Sequence, residues 1–168
     1  MQPGQKLDLL TGLGNGYDMA CAGDHPLLIG GGAGVPPMYL LARRLRDQGK
    51  QVSVILGFNT AAELFYEKEF ADLGCGVTVT TVDGSCGVRG FVTDALPEEY
   101  SYFYTCGPTP MLKAVFRAAK TSGQFSFEER MGCGFGACMG CTCKTITGTK
   151  RICKDGPVLR KEEILWEA

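Results

Sequence analysis

Between residues 25 and 120 the chain alternates short apolar runs with amphipathic stretches. "PLLIGG" (26–31) is apolar throughout and ends in glycines, as a strand buried on both faces of a parallel sheet does. "VPPMYLLARRLRDQG" follows, with Met38, Leu41 and Leu45 at helical spacing and Arg43, Arg44 and Asp47 on other faces. Pro36 and Pro37 suit the start of that helix and Gly49 its end. The same reading predicts a second strand over 51–58, a helix over 61–74 and a third strand over 76–82. A short helix is expected over 90–96, a fourth strand over 102–107 and a third long helix over 109–120. Strands that alternate with helices predict an α/β fold: a parallel sheet with right-handed crossovers and helices on both faces.

The chain divides by composition into three parts. Residues 1–24 are glycine-rich and lack a period, 25–120 carry the α/β pattern, and 121–168 hold a cysteine cluster and a short charged tail. No internal repeat or low-complexity tract is visible. At 168 residues, 45% of them hydrophobic and 21% charged, the chain can bury a core of ordinary domain size. A formal charge of -1 provides no field for nucleic acid or anionic lipid, so neither is expected as a partner. No apolar run is long enough to span a bilayer, and the first residues do not read as an export signal. A cytoplasmic, reducing location is expected. There, nine cysteines are read as metal ligands, redox groups or small core residues before disulfides.

In sheets of this kind, ligands bind beyond the carboxyl ends of the strands, and two loops there stand out. "GGGAGVPP" runs from Gly30 to Pro37, between the first strand and first helix. Glycines let a backbone approach a pyrophosphate, and the helix start offers free N–H groups. The loop departs from G-x-G-x-x-G because Val35 stands where the third glycine is wanted. On its own it reads equally as a nucleotide site or a tight turn. "TCGPTPM" places Cys106 at the end of the fourth strand, beside the same crevice. Alone, Cys106 reads as a small buried residue. After the second strand come Phe58, Asn59 and Thr60, with no acidic residue for a ribose and no arginine for a 2′-phosphate; this favours NAD over NADP.

The densest chemistry lies in "MGCGFGACMGCTCK" (131–144), with four cysteines and four glycines. Cys133, Cys138 and Cys141 follow C-x4-C-x2-C, and Cys153 lies farther on, which is the plant-type [2Fe–2S] spacing with a distant fourth ligand. Gly132, Gly134, Gly136 and Gly140 allow tight turns that aim backbone N–H groups at sulfur. Zinc is the competing reading, because Cys138 and Cys141 also form half of a zinc knuckle; a zinc site usually pairs two such halves. Cys143 competes with Cys153 for the fourth position. Cys21, Cys75 and Cys86 have no spacing partner and read as core or turn residues. The single histidine, His25, reads as a surface residue, and no general base is expected.

Taken together, "LLIGGGAGVPPMYLLARRL", "TCGPTPMLKAV", "ERMGCGFGACMGCTCKT" and "RICKDGPVLRKEEI" resemble the electron transfer subunits of NAD-dependent dihydroorotate dehydrogenase B, in the ferredoxin–NAD(P) reductase superfamily. The similarity runs from about Thr11 to Glu163. The resemblance implies a relay. An FMN-containing dihydroorotate dehydrogenase subunit oxidises dihydroorotate in pyrimidine biosynthesis. Electrons pass through [2Fe–2S] and FAD to NAD+. It implies that Cys133, Cys138, Cys141 and Cys153 hold the cluster, and that Gly31, Gly32, Ala33, Gly34 and Val35 cradle NAD phosphates. Cys106, Gly107 and Pro108 would border the nicotinamide, with Asp83 and Gly84 in a turn near the same crevice. Family members begin with a flavin-binding β-barrel. Here "TGLGNGY" (11–17) resembles the segment that follows it, so residues 1–10 are expected to be the barrel's last strand in a truncated member. The family's Arg-x-Tyr-Ser/Thr flavin motif is absent from the sequence. Two other readings share part of the pattern: a small iron–sulfur subunit of a glutamate synthase-like or sulfide dehydrogenase, and a zinc-stapled nucleotide-binding module.

Overall fold

The computed structural model describes residues 2–166; Met1, Glu167 and Ala168, which fall within the sequence division above, lie outside them. In chain order the elements are β1 (Pro26–Gly31), α1 (Val35–Asp47), β2 (Ser53–Phe58), α2 (Glu67–Asp72), β3 (Gly76–Thr81) and β4 (Val88–Arg89). Then come β5 (Tyr102–Cys106), α3 (Thr109–Ala118), β6 (Gly123–Ser126), β7 (Thr142–Thr145), β8 (Gly148–Arg151), α4 (Ile152–Asp155) and β9 (Val158–Arg160). Seven strands form one sheet in the order β4-β3-β2-β1-β5-β6-β9, and β7 and β8 form a separate hairpin. All neighbours in the sheet run parallel except β9, which returns antiparallel to β6.

The sheet is buried on both faces, which is why β1 reads as an unbroken apolar run. Leu28, Leu56 and Tyr104 point to one face, where Met38, Leu41 and Leu45 of α1 cover them. Leu27, Ile29, Phe103 and Phe125 point to the other, under Leu112 and Val115 of α3. Ile152, Cys153, Leu159 and Ile164 extend that second core, so the C-terminal part packs on the face that α3 covers. Cys21, Cys75 and Cys86 lie half-buried against the first core, and all nine cysteines are free thiols.

Three regions depart from the sequence pattern. The helix expected over 61–74 is broken into a 3-10 turn at Ala61–Glu63 and the short α2. Tyr66, at the break, has φ +66° and is left-handed. Its ring stacks on Tyr39 at 5.2 Å, and Phe65 packs edge-on against Phe58 at 5.3 Å. Seating both rings on the core costs the helix its continuity. Next, β6 and β9 flank the cysteine cluster within residues 121–168, where the sequence pattern predicts no strand, yet both complete the sheet. Finally, residues 2–10 are exposed and form no strand; the expected barrel strand has no neighbour to pair with among the described residues.

The segment 13–21 is tied down by polar groups. Asn15 donates to the Val158 carbonyl at 2.9 Å and accepts from the Val158 N–H at 2.9 Å. Buried Gln124 accepts from the Asp18 N–H at 2.8 Å and donates to the Asp18 carbonyl at 2.9 Å. The Tyr17 hydroxyl donates to the Thr105 carbonyl at 2.9 Å. At the far end of β9, Arg160 N–H donates to the Glu163 carboxylate at 3.1 Å. Asn15→Ala leaves both Val158 groups without their partner. The expected cost is about 2 kcal/mol, read as a fall in Tm of roughly 6 °C; an unchanged Tm would show that water replaces Asn15 at no cost.

Candidate functional site

One register row crosses the carboxyl edge of the sheet. Gly30 of β1 sits beside Cys106 of β5, Cys106 beside Ser126 of β6, and Ser126 beside Val158 of β9. The row begins at the glycine turn and ends five residues after Cys153. It therefore brings the two candidate sites, far apart in sequence, to the same edge.

At one end of the row lies a cleft of about 510 Å³, lined by Gly31, Gly32, Phe58, Asn59, Pro108 and Met111 among others. That volume falls in the range of cofactor sites. Thr80 also lines it, and its buried hydroxyl has no protein partner among the described residues. An orphaned hydroxyl on the wall of a cleft fits a bound polar ligand. Of the residues expected at NAD, Gly31, Gly32 and Pro108 reach this wall. Ala33, Gly34, Val35, Asp83, Gly84, Cys106 and Gly107 do not line it. A Cβ on Gly34 would lie 2.1 Å from the Cys106 carbonyl oxygen, so the turn packs directly on the end of β5. Val35 is buried as the first residue of α1. The Asp83 carboxylate takes the Ser85 N–H at 2.9 Å and its hydroxyl at 2.6 Å, and those bonds hold its pKa below the usual carboxylate range. Cys106 faces the α1 side with Tyr17, and burial pushes its thiol pKa up.

The structure adds an acid that the sequence reading missed. Glu63 lines the cleft, and its carboxylate accepts from Asn59 N–H at 3.2 Å and from the Asn59 amide at 3.0 Å. The sequence places it five residues after β2, too late for the expected position. The 3-10 turn at Ala61–Glu63 folds it back beside the strand end.

At the other end of the row, the C-terminal module gathers cysteines. Cys133 Sγ accepts N–H bonds from Ala137 at 3.2 Å and Cys138 at 3.4 Å. Cys138 Sγ accepts from Gly140 at 3.5 Å, and Cys141 Sγ accepts from Cys153 at 3.4 Å. The sulfurs of Cys133 and Cys138 are hydrogen-bonding neighbours, as are those of Cys141 and Cys153. The charge of Cys133 also acts to raise the Cys153 pKa, so the two pairs lie within electrostatic reach of one another. Backbone N–H bonds, from Cys138 above all, draw the Cys133 pKa down to about 6, and the Cys153 N–H lowers that of Cys141. Cys153, sharing a hydrogen bond with Cys141, is pushed up instead. Cys141 and Cys153 are buried, Cys133 is half-buried and Cys138 is exposed.

These residues fit a binuclear cluster. Two irons bridged by sulfide take two thiolates each, and two pairs are what the chain supplies. A Cβ built on Gly132 would approach Cys138 Sγ to 3.3 Å, so a side chain there would crowd it, whereas one on Gly140 would lie in ordinary contact at 3.5 Å. Cys143 packs toward the second core, and burial raises its thiol pKa.

Comparison with known proteins agrees with this division. The model of the iron-sulfur cluster binding domain of dihydroorotate dehydrogenase B matches residues 128–165, and the oxidoreductase NAD-binding domain model matches residues 28–117. Together with the fold, they define an iron–sulfur oxidoreductase domain that works with a nicotinamide nucleotide. The dihydroorotate dehydrogenase B (NAD(+)) electron transfer subunits of Geobacillus sp. (strain WCH70) and Listeria innocua are each 46% identical to this chain over 98% of its length. That of Bacillus caldolyticus is 47% identical over the same share. The chain belongs to this electron transfer subunit family, and it spans about two thirds (67–68%) of the length of these relatives. A solved NADH-dependent reduced ferredoxin-NADP oxidoreductase matches 95% of this chain and 60% of its own, with TM-score 0.82 and 32% identity. The cytochrome P450 reductase of Amycolatopsis matches 58% of this chain and 34% of its own, with TM-score 0.51 and 30% identity. Among the described residues, no helix is long and apolar enough to cross a membrane.

Proposed function

We propose that this chain conducts electrons between a [2Fe–2S] cluster on Cys133, Cys138, Cys141 and Cys153 and a nicotinamide nucleotide in the cleft at Gly31 and Gly32. The observation that carries this reading is the register row Gly30–Cys106–Ser126–Val158, which runs from the turn at the cleft to β9, the strand that follows the helix carrying Cys153. Its names come from the family: dihydroorotate as the electron source, an FMN-containing dehydrogenase subunit as partner, and NAD+ as acceptor. When bound, a [2Fe–2S] cluster takes up and releases one electron at a time.

The chain's own residues hold and orient. Backbone N–H groups of Ala137, Cys138, Gly140 and Cys153 stabilise thiolate charge at three of the four ligands, Cys133, Cys138 and Cys141. Gly31 and Gly32 let a nucleotide approach the turn before α1, and Thr80 offers a free hydroxyl. Glu63 sits where a carboxylate can accept from ribose hydroxyls and repel a 2′-phosphate. Hydride transfer needs a two-electron converter, which in the family is FAD.

Anaerobic purification with iron, sulfide and zinc analysis tests the centre. Two irons and two sulfides per chain, with visible charge-transfer bands, are expected; a colourless protein with one zinc would overturn it. Co-expression with the FMN subunit tests the partner: the two are expected to co-purify, and separate elution would remove the assignment. Glu63→Ser tests nucleotide choice. The NAD-over-NADP preference is expected to narrow about tenfold, roughly 1.4 kcal/mol, in nucleotide titrations. An unchanged ratio would take Glu63 out of the site.

A further inference from the structure

Arg151, the last residue of β8, makes three side-chain bonds beside the cysteines. Its Nε donates to Asp155 Oδ2 at 3.0 Å and its Nη2 to Asp155 Oδ1 at 3.3 Å. Its Nη1 donates to the Gly136 carbonyl at 3.1 Å. Gly136 lies between Cys133 and Cys138 and has φ +91°, a conformation open to glycine at little cost. One guanidinium thus ties the ligand loop to the short helix that carries Cys153. Asp155 also accepts from the Arg151 backbone N–H at 2.9 Å, which fixes the carboxylate in turn. The side chains are only 28% and 30% exposed. Arg151 lies within electrostatic reach of both Cys141 and Cys153.

We propose that the Arg151–Asp155 pair sets the reduction potential of the cluster, with Arg151 as the positioning residue of the ligand loop. The proposal rests on the cluster reading above. Reduction adds one electron, hence one negative charge, to a centre already held by four thiolates. A cation close by favours the reduced form, and a carboxylate opposes it. A fork-shaped pair fixes both charges at set distances, whereas a flexible lysine would not. Partial burial reduces the screening that makes surface pairs weak. The two charges are of opposite sign, so removing them singly must move the potential in opposite directions. A clamp with a purely structural role has no such sign rule.

The test is a potentiometric titration of the full chain, purified anaerobically, with the reduced cluster followed by electron paramagnetic resonance. The solution is poised at the wild-type midpoint. Arg151→Gln is expected to lower the ratio of reduced to oxidised cluster about tenfold, equal to about 59 mV for one electron. Asp155→Asn is expected to raise it by a similar factor. Arg151→Lys keeps the charge and is expected to stay nearer to wild type than Arg151→Gln. Shifts of the same sign, no shift, or a lysine variant as displaced as the glutamine one would overturn the proposal. Loss of the cluster from all three variants would also overturn it, because the pair would then serve only to hold the loop. A wild-type chain without a cluster would sink the cluster reading itself, a result distinct from unchanged potentials in loaded variants.

Discussion

Serine at position 138 or 153 is expected to bleach the protein, while serine at position 143 leaves its visible spectrum intact. Each of the four proposed ligands has a sulfur neighbour, Cys138 beside Cys133 and Cys153 beside Cys141. Losing one thiolate leaves an iron with an incomplete ligand set. The loss of cluster should exceed the roughly 10–100-fold that removing an outer partner costs a metal site. Cys143 is the useful control, since it stands two residues from Cys141 in the same hairpin. No backbone N–H of the described residues bonds to its sulfur, and burial favours its protonated form. Iron content and absorbance of the three variants decide the matter. A bleached Cys143→Ser protein would move the fourth ligand to that position.

Gly34→Ala is expected to destabilise the chain by about 3 kcal/mol, the upper part of the range for overpacking, and to lower Tm by roughly 10 °C. The added methyl group would lie 2.1 Å from the Cys106 carbonyl oxygen and 2.3 Å from its carbon. Both are backbone atoms of a strand buried in mid-sheet, so neither can swing aside. The turn must lift, and with it Gly31 and Gly32 on the cleft wall. Weaker NADH binding should therefore accompany the lower Tm. Gly49→Ala, at φ +79° with nothing within 4 Å of its added methyl, is the comparison: it strains a turn without touching the cleft. A Gly34→Ala protein with wild-type Tm and NADH affinity would show that the turn is not held against the end of β5 as closely as the structure indicates.

The elements most legible in the sequence are those whose burial is uniform. β1 is buried at every position, and α1 carries a regular apolar face. α2 was misjudged in length because Phe65 and Tyr66 fit a helical pattern equally well. What breaks the helix is aromatic packing with Tyr39 and Phe58, which lie elsewhere in the chain. β6 went unseen for a related reason. Its four residues include Gln124, a polar side chain whose burial makes sense only once Asp18, far away in sequence, supplies its partners. The cysteine module was legible in the C-x4-C-x2-C spacing of Cys133, Cys138 and Cys141, which left Cys143 and Cys153 competing for the fourth position. Glu63 was not, because its approach to Asn59 depends on a turn with no distinctive sequence. Asp83 and Gly84 are expected near the crevice, and they follow one and two residues after Val82, which lines it.

The hold of Asn15 on Val158 has a consequence for association. β9 is the sheet's last strand on that side, where an unpaired ladder would offer another polypeptide a place to add a strand. Asn15 occupies both Val158 backbone groups, and Glu163 takes the Arg160 N–H. At the opposite border, β4 is only two residues long. Among the described residues, neither border of the seven-stranded sheet presents an open template, so strand exchange through it is disfavoured from within the chain. Contact with other proteins falls instead to side-chain surfaces, which can be recognised and released without unpicking the sheet.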